Sequence, residues 1–317
     1  MMEVTDRHCR YFLRLLAPDV RLYTEMITAA AILHGDRAAL LRFDATEHPV
    51  AVQLAGRQPR ELAEAAKIAA DLGYDEVNLN AGCPSNRVRD GGFGAALMLE
   101  PELAARCIEA MCRATRVPVT VKMRVGIDTH DSFEFLTSFV ETVAKAGCQT
   151  FIVHARKALS RGLSAHDNRT LPPLRYALVH RLKAERRDLR FVINGGIRTT
   201  AEIAAHLEQV DGVMLGRKAA EDPYFLTEVQ RSFFDTGSGR SLPDRARVVE
   251  RMYEYARQET TKGARLHHIT RHMLGLYHGV PGARRWRRFL ASHACRREAS
   301  PDVLLHSLSS FGERMSA

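Results

Sequence analysis

Seven short apolar runs rich in β-branched residues recur along this chain, and helix-like stretches separate them. The runs cover residues 20–25, 50–54, 76–80, 118–123, 150–154, 191–194 and 212–215. The helix-like stretches cover residues 59–72, 100–115, 131–146, 174–187 and 199–208. Short runs of this kind, rich in apolar β-branched residues, are typical of strands that are buried on both faces, as in a parallel sheet. The alternation therefore predicts seven β/α units.

Seven visible units favour an α/β fold of the (β/α)8 TIM barrel type, with one strand hidden from the pattern. We expect the hidden strand to be the first, because the chain opens at Met1 in the loop-like sequence EVTDRH. A doubly wound open sheet is the competing arrangement. With 317 residues, of which 45% are hydrophobic, the chain is long enough for such a barrel and a smaller domain.

The segment FDTGSGRSLPD follows the last apolar run, and its Gly, Ser and Asp content predicts a linker. Beyond it, residues 244–317 contain helix-like stretches such as RARVVERMYEYARQ and no strand candidate. We therefore predict a barrel domain in residues 1–235 and a smaller all-helical domain in residues 244–317.

Composition limits where such a protein can work. No apolar run approaches the ~20 residues that cross a bilayer, and the start, MMEVTDRHCR, has no apolar core that could act as a signal peptide. The six cysteines form no CxxC pair and no disulfide framework. In a chain of this length, that pattern fits a reducing cytoplasm, and we expect a cytoplasmic protein.

The excess positive charge lies in one part of the chain. Residues 251–300 hold eleven Lys and Arg against three Glu, so this segment carries +8 of a total net charge of +9. A charge imbalance that is confined to one segment indicates a polyanionic partner. A solvated basic helix face is the alternative.

Polar residues follow the predicted strands at their carboxyl ends. These ends face the same rim in a (β/α)8 barrel, so their side chains can converge on one ligand. The residues in question are Gln53; Asn78 and Asn80 with Cys83; Lys122 with Arg124; His154 with Arg156 and Lys157; Asn194, Gly195 and Gly196; and Gly216 with Arg217.

The last two of these ends indicate a phosphate site. Paired glycines let backbone N–H groups approach an anion, and the helix that follows favours negative charge at its start. Arg217 adds a bidentate donor. Gln53, Lys122 and His154 could hold a flat heterocycle, and a lysine beside the pyrimidine end of a flavin would stabilise its reduced form. Flavin mononucleotide (FMN) is a single ligand that would use both this set and the phosphate loops.

The chain resembles the tRNA-dihydrouridine synthase family, and within it the A-type bacterial branch. The motifs that carry the resemblance are MMEVTDRHCR, HPVAVQL, GYDEVNLNAGCPSNRV, VPVTVKMRVGID, FIVHARKA, FVINGGI, GVMLGRKA and HMLGLYHGVPGARRWRRFL. They span almost the whole chain. The family usually has an Ala-Pro pair and a short strand before the Met-Met, so either the true start lies upstream or this form lacks its first barrel strand.

The resemblance implies a flavin barrel followed by a helical tRNA-binding domain. NADPH would be the reductant and tRNA the substrate, with no membrane or metal involved. The reaction would reduce the C5–C6 bond of D-loop uridines 20 and 20a, with hydride from N5 of FMN to C6 and a proton from Cys83 to C5. A thiol suits the second task, because it can hold a proton near neutral pH and still donate it.

The resemblance also implies roles for further residues. Asn80 would touch the target base. The flavin contacts would be Met1, Met2, Gln53, Lys122, His154, Asn194, Gly195, Gly196, Gly216 and Arg217. The tRNA contacts would be His166, where the branch more often has a lysine, Arg169, Arg284 and Arg287.

Two other functions compete with this interpretation. A small-molecule FMN oxidoreductase of the dihydroorotate or dihydropyrimidine dehydrogenase type would explain the rim but not the basic segment. A catalytically idle RNA-binding barrel would explain the basic segment but not the rim residues Cys83, Lys122 and His154. His268 and His272 have helical spacing for a metal site, but no third ligand lies near them in the sequence, so no metal is expected.

Overall fold

The computed structural model describes residues 1–85, 88, 90–164, 166–235 and 241–312. Residues 236–240 of the predicted linker lie outside this part, as do three positions of the loop after Cys83. By its internal contacts the chain divides into two compact units. The first holds Met1–Met2, Tyr23–Phe43 and His48–Gly216. The second holds Glu3–Leu22, Asp44–Glu47 and the chain from Arg217 onwards.

A seven-stranded sheet organises the first unit. Its strands are β1 (Leu22–Thr28), β2 (Val50–Ala55), β3 (Glu76–Ala81), β4 (Val119–Arg124), β5 (Thr150–His154), β6 (Arg190–Asn194) and β7 (Gly212–Met214). Each strand lies beside the next one along the chain, and the pairings from β2 to β7 are parallel. A doubly wound sheet would reverse this order at a switch point. The consecutive order is that of a (β/α)8 barrel, which confirms the predicted fold class.

Helices alternate with the strands and continue beyond them. They are α1 (Arg7–Leu16), α2 (Ala29–His34), α3 (Arg37–Leu40), α4 (Pro59–Asp71), α5 (Pro101–Ala114), α6 (Phe133–Lys145), α7 (Tyr176–Glu185), α8 (Thr200–Leu207), α9 (Arg217–Glu221), α10 (Phe225–Phe233), α11 (Arg245–Thr261), α12 (Leu266–Thr270), α13 (Ala283–His293) and α14 (Val303–Gly312). Short 3₁₀ helices cover Ala45–Glu47, Gly94–Leu99, Asp167–Arg169 and Arg271–Met273. Every predicted helix-like stretch between strands is confirmed within a few residues.

Local chemistry explains where these helices begin. Thr199 and Glu202 form the predicted capping box, in which each side chain bonds the other residue's backbone N–H. Pro59 and Pro101 each stand at the start of a helix, where the missing N–H costs nothing.

The strands are buried in the manner expected of a parallel sheet. All six residues of β3 are buried, including the apolar Val77 and Leu79, which are fully enclosed. Full burial of each such side chain contributes about 1.5–3 kcal/mol. The burial of Glu76, Asn78 and Asn80 on the same strand requires hydrogen-bond partners for their polar groups.

The second unit joins the amino-terminal helix to the carboxyl-terminal helices. His8 Nδ1 lies 2.7 Å from the hydroxyl of Tyr255, and Tyr11 stacks on the same ring with centroids 3.9 Å apart. Arg7 forms an ion pair with Glu259. Burial lowers the pKa of His8 to about 4, so the imidazole is neutral at physiological pH.

The second compact unit thus contains α1, α9 and α10 together with the carboxyl-terminal helices. The functional division into a barrel domain of residues 1–235 and a tRNA-binding domain of residues 244–317 stays a prediction. Within residues 244–312 the structure has helices α11–α14 and no strand. None of the helices in the described part of the chain is long and apolar enough to span a membrane.

Candidate active site

Strand register brings the predicted rim residues side by side. Gln53 of β2 pairs with Asn78 of β3, and Asn80 of β3 pairs with Lys122 of β4. His154 of β5 pairs with Asn194 of β6. All of these residues except Asn78 lie in the carboxyl-terminal halves of their strands, so their side chains belong to the end of the sheet where ligands bind in such folds. Asn78 lies further in along β3.

Three carboxamides form a connected cluster at this end. Gln53 Nε2 donates to Asn78 Oδ1 at 2.9 Å, and Asn80 Nδ2 donates to Gln53 Oε1 at 2.8 Å. Asn78 Nδ2 continues inward to Thr120 Oγ1 at 2.8 Å. The cluster satisfies buried polar groups and leaves two amides at the level of the strand ends.

The backbone around Cys83 is held by Asn80. Asn80 Oδ1 accepts hydrogen bonds from the backbone N–H of Gly82 at 3.1 Å and of Cys83 at 2.9 Å. The thiol is half-buried and lies 3.5 Å from Ser85 Oγ. The turn that follows β3 therefore places a partly accessible thiol within a few residues of the amide predicted to touch the base.

Lys122 is a cation with a strongly lowered pKa at this end of the sheet. Its Nζ donates to Asn194 Oδ1 at 3.2 Å, and Asn194 Nδ2 donates to the Met214 carbonyl at 2.8 Å. Burial, with a further contribution from the neighbouring Arg124 guanidinium, lowers the pKa of Lys122 to about 8. Within the described residues no carboxylate forms an ion pair with this ammonium.

Arg124 forms hydrogen bonds with backbone carbonyls next to the Cys83 turn. Its side chain is buried and donates to the carbonyls of Gly82, Lys157 and Asn168, at 3.1, 3.3 and 2.8 Å. Burial lowers the pKa of Arg124 to about 10, and the charge is retained at neutral pH. Its position ties the Cys83 turn to the loop that carries the predicted tRNA contact Arg169.

The glycine pair after β6 has no room for side chains. Gly195 and Gly196 have φ values of +121° and +73°. A Cβ on Gly195 would lie 2.7 Å from His154 Cδ2, and one on Gly196 would lie 2.6 Å from Leu174 Cδ1. Tyr176 donates its hydroxyl to the Gly195 carbonyl. Both glycines are required by backbone conformation and by close approach.

The remaining predicted flavin contacts are placed as follows. A Cβ on Gly216 would lie 3.5 Å from Met1 Sδ, so these two residues are neighbours in the first unit. Met2 is exposed. Arg217 starts α9 and is grouped with the second unit. The roles of all four residues stay predictions.

The four predicted tRNA contacts are exposed. His166 precedes the short 3₁₀ helix Asp167–Arg169, and Arg169 is its last residue. The buried Asn168 anchors this helix through hydrogen bonds to both backbone groups of Leu159. Arg284 and Arg287 are exposed on α13, whose buried face carries Trp286 and Leu290. The two pairs belong to different units, and their roles in RNA binding stay predictions.

The residues at the strand ends fit a flavin. The turn at Gly195 and Gly196, with positive φ at both glycines directly after β6, suits a phosphate that approaches backbone N–H groups. A desolvated ammonium at Lys122, held by the neutral amide of Asn194, suits an electron-rich heterocycle. No group of three or more potential metal ligands occurs among the described residues.

Sequence reasoning missed three residues that the structure connects to this site. Glu76 and Thr120 extend the carboxamide cluster inward, and Tyr176 holds the Gly195 carbonyl. The period-2 alternation of EVNLN was the available signal for Glu76, since it sets Glu76, Asn78 and Asn80 on one face of β3.

Comparison with known proteins gives the family. A family model described as "Dihydrouridine synthase (Dus)" matches residues 1–310. The tRNA-dihydrouridine(20/20a) synthase of Synechocystis sp. is 53% identical over 308 residues, which cover 97% of this chain and 92% of that protein. The protein of the same name from Escherichia coli is 51% identical over 309 residues, covering 97% and 89%.

Solved structures show the same fold at low identity. Morphinone reductase superposes with a TM-score of 0.53 at 13% identity, covering 77% of this chain and 84% of that chain. A 2-naphthoyl-CoA reductase complex superposes with a TM-score of 0.54 at 11% identity, covering 72% and 47%. On the match to the family model and the identity to its curated relatives, the chain belongs to the dihydrouridine synthase family.

Proposed function

We propose that this protein is a flavin-dependent tRNA-dihydrouridine synthase that reduces the C5–C6 bond of D-loop uridines at positions 20 and 20a. Relatives between 49% and 53% identical over nearly the whole chain carry these two positions in their names. The observation that carries the chemistry is the pair of hydrogen bonds from the Gly82 and Cys83 backbone to Asn80, beside Lys122. Family membership favours this function over small-molecule reduction and over an idle RNA-binding barrel.

The cofactor in this proposal is FMN, reduced by NADPH. Gly195, Gly196, Gly216 and Arg217 would hold its phosphate, while Gln53, Lys122, His154 and Asn194, with Met1 and Met2, would hold the rest. When bound, the flavin supplies the hydride that adds to C6 of the uracil. The ammonium of Lys122, desolvated by burial, would stabilise negative charge at that end of the site.

Cys83 completes the reduction by moving a proton. Its thiol holds a proton at Sγ and donates it to C5 of the base. Asn80 orients the donor by accepting the Cys83 backbone N–H at 2.9 Å. The remaining amide N–H of Asn80 can donate to a carbonyl oxygen of the same base.

The substrate in this proposal is a folded tRNA. A D-loop uridine must leave its stack to enter a barrel mouth, as bases do in other base-modifying enzymes. The exposed cations His166 (when protonated), Arg169, Arg284 and Arg287 would bind phosphates, which supply most of the affinity for a polyanion.

Reconstitution with defined components tests the proposed function. Purified protein should bind FMN and oxidise NADPH rapidly only when unmodified tRNA is present. The matched control is the same tRNA with its D-loop uridines already reduced, which should leave NADPH oxidation at the background rate. Turnover of free dihydroorotate or uracil at comparable rates would instead support the small-molecule alternative, and flavin-free tRNA binding would support the idle barrel.

A further inference from the structure

A line of hydrogen bonds runs from the barrel interior to the turn that carries Cys83. Glu76, Asn78 and Asn80 lie on one face of β3, and Asn78 is level with Gln53 on one side and with Thr120 on the other. Glu76, Asn78 and Thr120 are each no more than 2% exposed. The line therefore begins in the core and ends among the predicted ligand contacts.

The inner end of this line has a fixed direction. Glu76 Oε1 accepts from the Tyr23 hydroxyl at 2.8 Å and from Thr120 Oγ1 at 2.6 Å. Thr120 has a single hydroxyl proton, which it donates to Glu76, so that proton is not available to Asn78. The atom of Asn78 that lies 2.8 Å from Thr120 must then be a donor, Nδ2. Asn78 Oδ1 is left to accept from Gln53 Nε2.

The outer end fixes the same direction independently. Backbone N–H groups only donate, so the Asn80 atom that faces Gly82 and Cys83 must be Oδ1. Its Nδ2 then faces Gln53, whose nearer atom must be Oε1. Gln53 Nε2 is left to face Asn78, which is the result reached from the inner end. Carboxamide oxygen and nitrogen are distinguished by their partners, and here both ends agree.

The direction of these hydrogen bonds determines which groups of Gln53 and Asn80 a ligand can contact. Each carboxamide nitrogen has two N–H groups, and in Gln53 and Asn80 one of the two is committed within the line. The second N–H of each amide is therefore available to donate to a ligand. The carbonyl oxygens on the pyrimidine edge of a uracil or of a flavin are complementary to such donors.

We infer that Glu76 and Thr120 are positioning residues that, together with the backbone of Gly82 and Cys83, hold Gln53 and Asn80 as hydrogen-bond donors and so select a carbonyl-rich pyrimidine edge. They act through Asn78 and lie below the ligand-contacting level. The identity of the ligands rests on the proposed function, whereas the direction of the hydrogen bonds rests on the structure alone.

Thr120 offers the sharpest substitution. Thr120→Val keeps the shape of the side chain and removes the hydroxyl, so Asn78 Nδ2 loses its acceptor. Asn78 is then no longer held with its oxygen toward Gln53 Nε2, and Gln53 loses the acceptor that holds it in place. Thr120→Ser keeps the hydroxyl and should keep the direction. Thr227→Val is a matched control, because Thr227 is 1% exposed, bonds the Tyr224 carbonyl at 2.8 Å and belongs to the second unit.

The readouts are the dissociation constant of FMN from refolded or flavin-stripped full-length protein, measured by quenching of flavin fluorescence, and the unfolding midpoint. Thr120→Val should weaken FMN binding roughly tenfold, the effect of one lost buried hydrogen bond. Thr120→Ser should stay within about twofold of the parent, as one retained hydroxyl implies. Thr227→Val should lower the unfolding midpoint like Thr120→Val while it leaves FMN binding unchanged.

The inference is overturned if Thr120→Val binds FMN like the parent, or if Thr120→Ser is as weak as Thr120→Val. It is also overturned if Thr227→Val weakens FMN binding equally, since the loss would then follow from general destabilisation. Failure of the parent protein to bind FMN at all would instead contradict the proposed function. In that case hydrogen exchange of the Asn78 side-chain amide, slow in Thr120→Ser and fast in Thr120→Val, still tests the direction of the line.

Discussion

Lys122 Nζ lies 3.2 Å from Asn194 Oδ1, although β4 and β6, which carry these residues, are separated in the sheet by β5. Side chains that point into a barrel form layers contributed by alternate strands, so such a contact is expected of interior positions. Asn194 is fixed in turn by its bond to the Met214 carbonyl. The ammonium is thus held in a desolvated position by a neutral acceptor.

The desolvated ammonium of Lys122 should make the free energy of unfolding depend on pH. The pKa of Lys122 is lowered to about 8 from 10.5, so between these values the unfolded chain binds more protons than the folded one. Stability then rises with pH across that interval, and below pH 8 the full cost of the buried charge is present. In the flavin-free protein, Lys122→Met should be more stable than the parent at pH 7 by about 1–3 kcal/mol.

The advantage of Lys122→Met should shrink as the pH rises from 8 to 10.5, and thermal unfolding followed by circular dichroism would measure it. Lys145→Met, at an exposed position of α6, is the control and should show no such trend. A Lys122→Met protein that is less stable than the parent at pH 7 would contradict the account of this residue. The same variant should bind FMN more weakly, because the cation is lost.

Replacement of Cys83 should separate binding from turnover. Cys83→Ala should retain affinity for FMN and for tRNA and lose about 10²–10⁴-fold in the rate of uridine reduction, the usual contribution of a general acid. Single-turnover reduction of tRNA and equilibrium binding would be measured side by side. Cys295→Ala, at the exposed cysteine, is the control and should react at the parent rate. A normal rate in Cys83→Ala would exclude the thiol as proton donor.

Gly196 and Gly162 have similar backbone conformations but different surroundings. Substitution of each by Ala therefore separates the cost of backbone strain from the cost of steric overlap. Gly196 has φ +73° and its Cβ position lies 2.6 Å from Leu174, whereas Gly162 has φ +80° and no atom within 4 Å. Gly162→Ala should cost about 1–2 kcal/mol of stability through the left-handed conformation alone. Gly196→Ala should cost about 1–3 kcal/mol more through overpacking. Chemical denaturation measures both values.

The same pair of variants tests the predicted phosphate site. Gly196→Ala should also weaken FMN binding, because the displaced loop no longer lets backbone N–H groups reach an anion. Gly162→Ala should bind FMN as the parent does. Equal FMN affinities in the two variants would count against a phosphate site at this loop.

Salt dependence should reveal whether α13 binds the phosphates of tRNA. The double substitution Arg284→Ala and Arg287→Ala should weaken tRNA binding and reduce the slope of log K against log salt by about one for each phosphate that the protein no longer neutralises. Arg257→Ala serves as control, because Arg257 is exposed on α11 but paired with Glu254. Filter binding at a series of salt concentrations gives the slopes. An unchanged slope in the double variant would remove α13 from the interface.

The fold could be predicted from the sequence because its strands and helices follow from local sequence patterns. The seven apolar runs and the helices between them were read from periodicity, proline and capping signals, all of which act within a few residues. The grouping of α1 with the carboxyl-terminal helices was not predictable. It depends on contacts such as His8 with Tyr255 and Arg7 with Glu259, which join residues about 250 positions apart and leave no local signal.

The sequence predicted which residues form the candidate site. It did not predict which of these residues form hydrogen bonds with one another. Polar residues after apolar runs identified Gln53, Asn80, Lys122 and Asn194, because strand ends are local features. Which amide bonds which depends on strand register, and the contact of Lys122 with Asn194 crosses a whole strand. Glu76 looked like an ordinary strand residue until its partner Thr120 was known.

Mapping of dihydrouridine in tRNA tests the central claim most directly. Unmodified tRNA treated with the protein, FMN and NADPH would be digested by nuclease, and the fragments would be analysed by mass spectrometry. We expect D-loop positions 20 and 20a each to gain the mass of two hydrogen atoms with the parent protein and to gain nothing with Cys83→Ala. Reduction elsewhere in the tRNA, or none at all by a protein with bound flavin, would contradict the central claim.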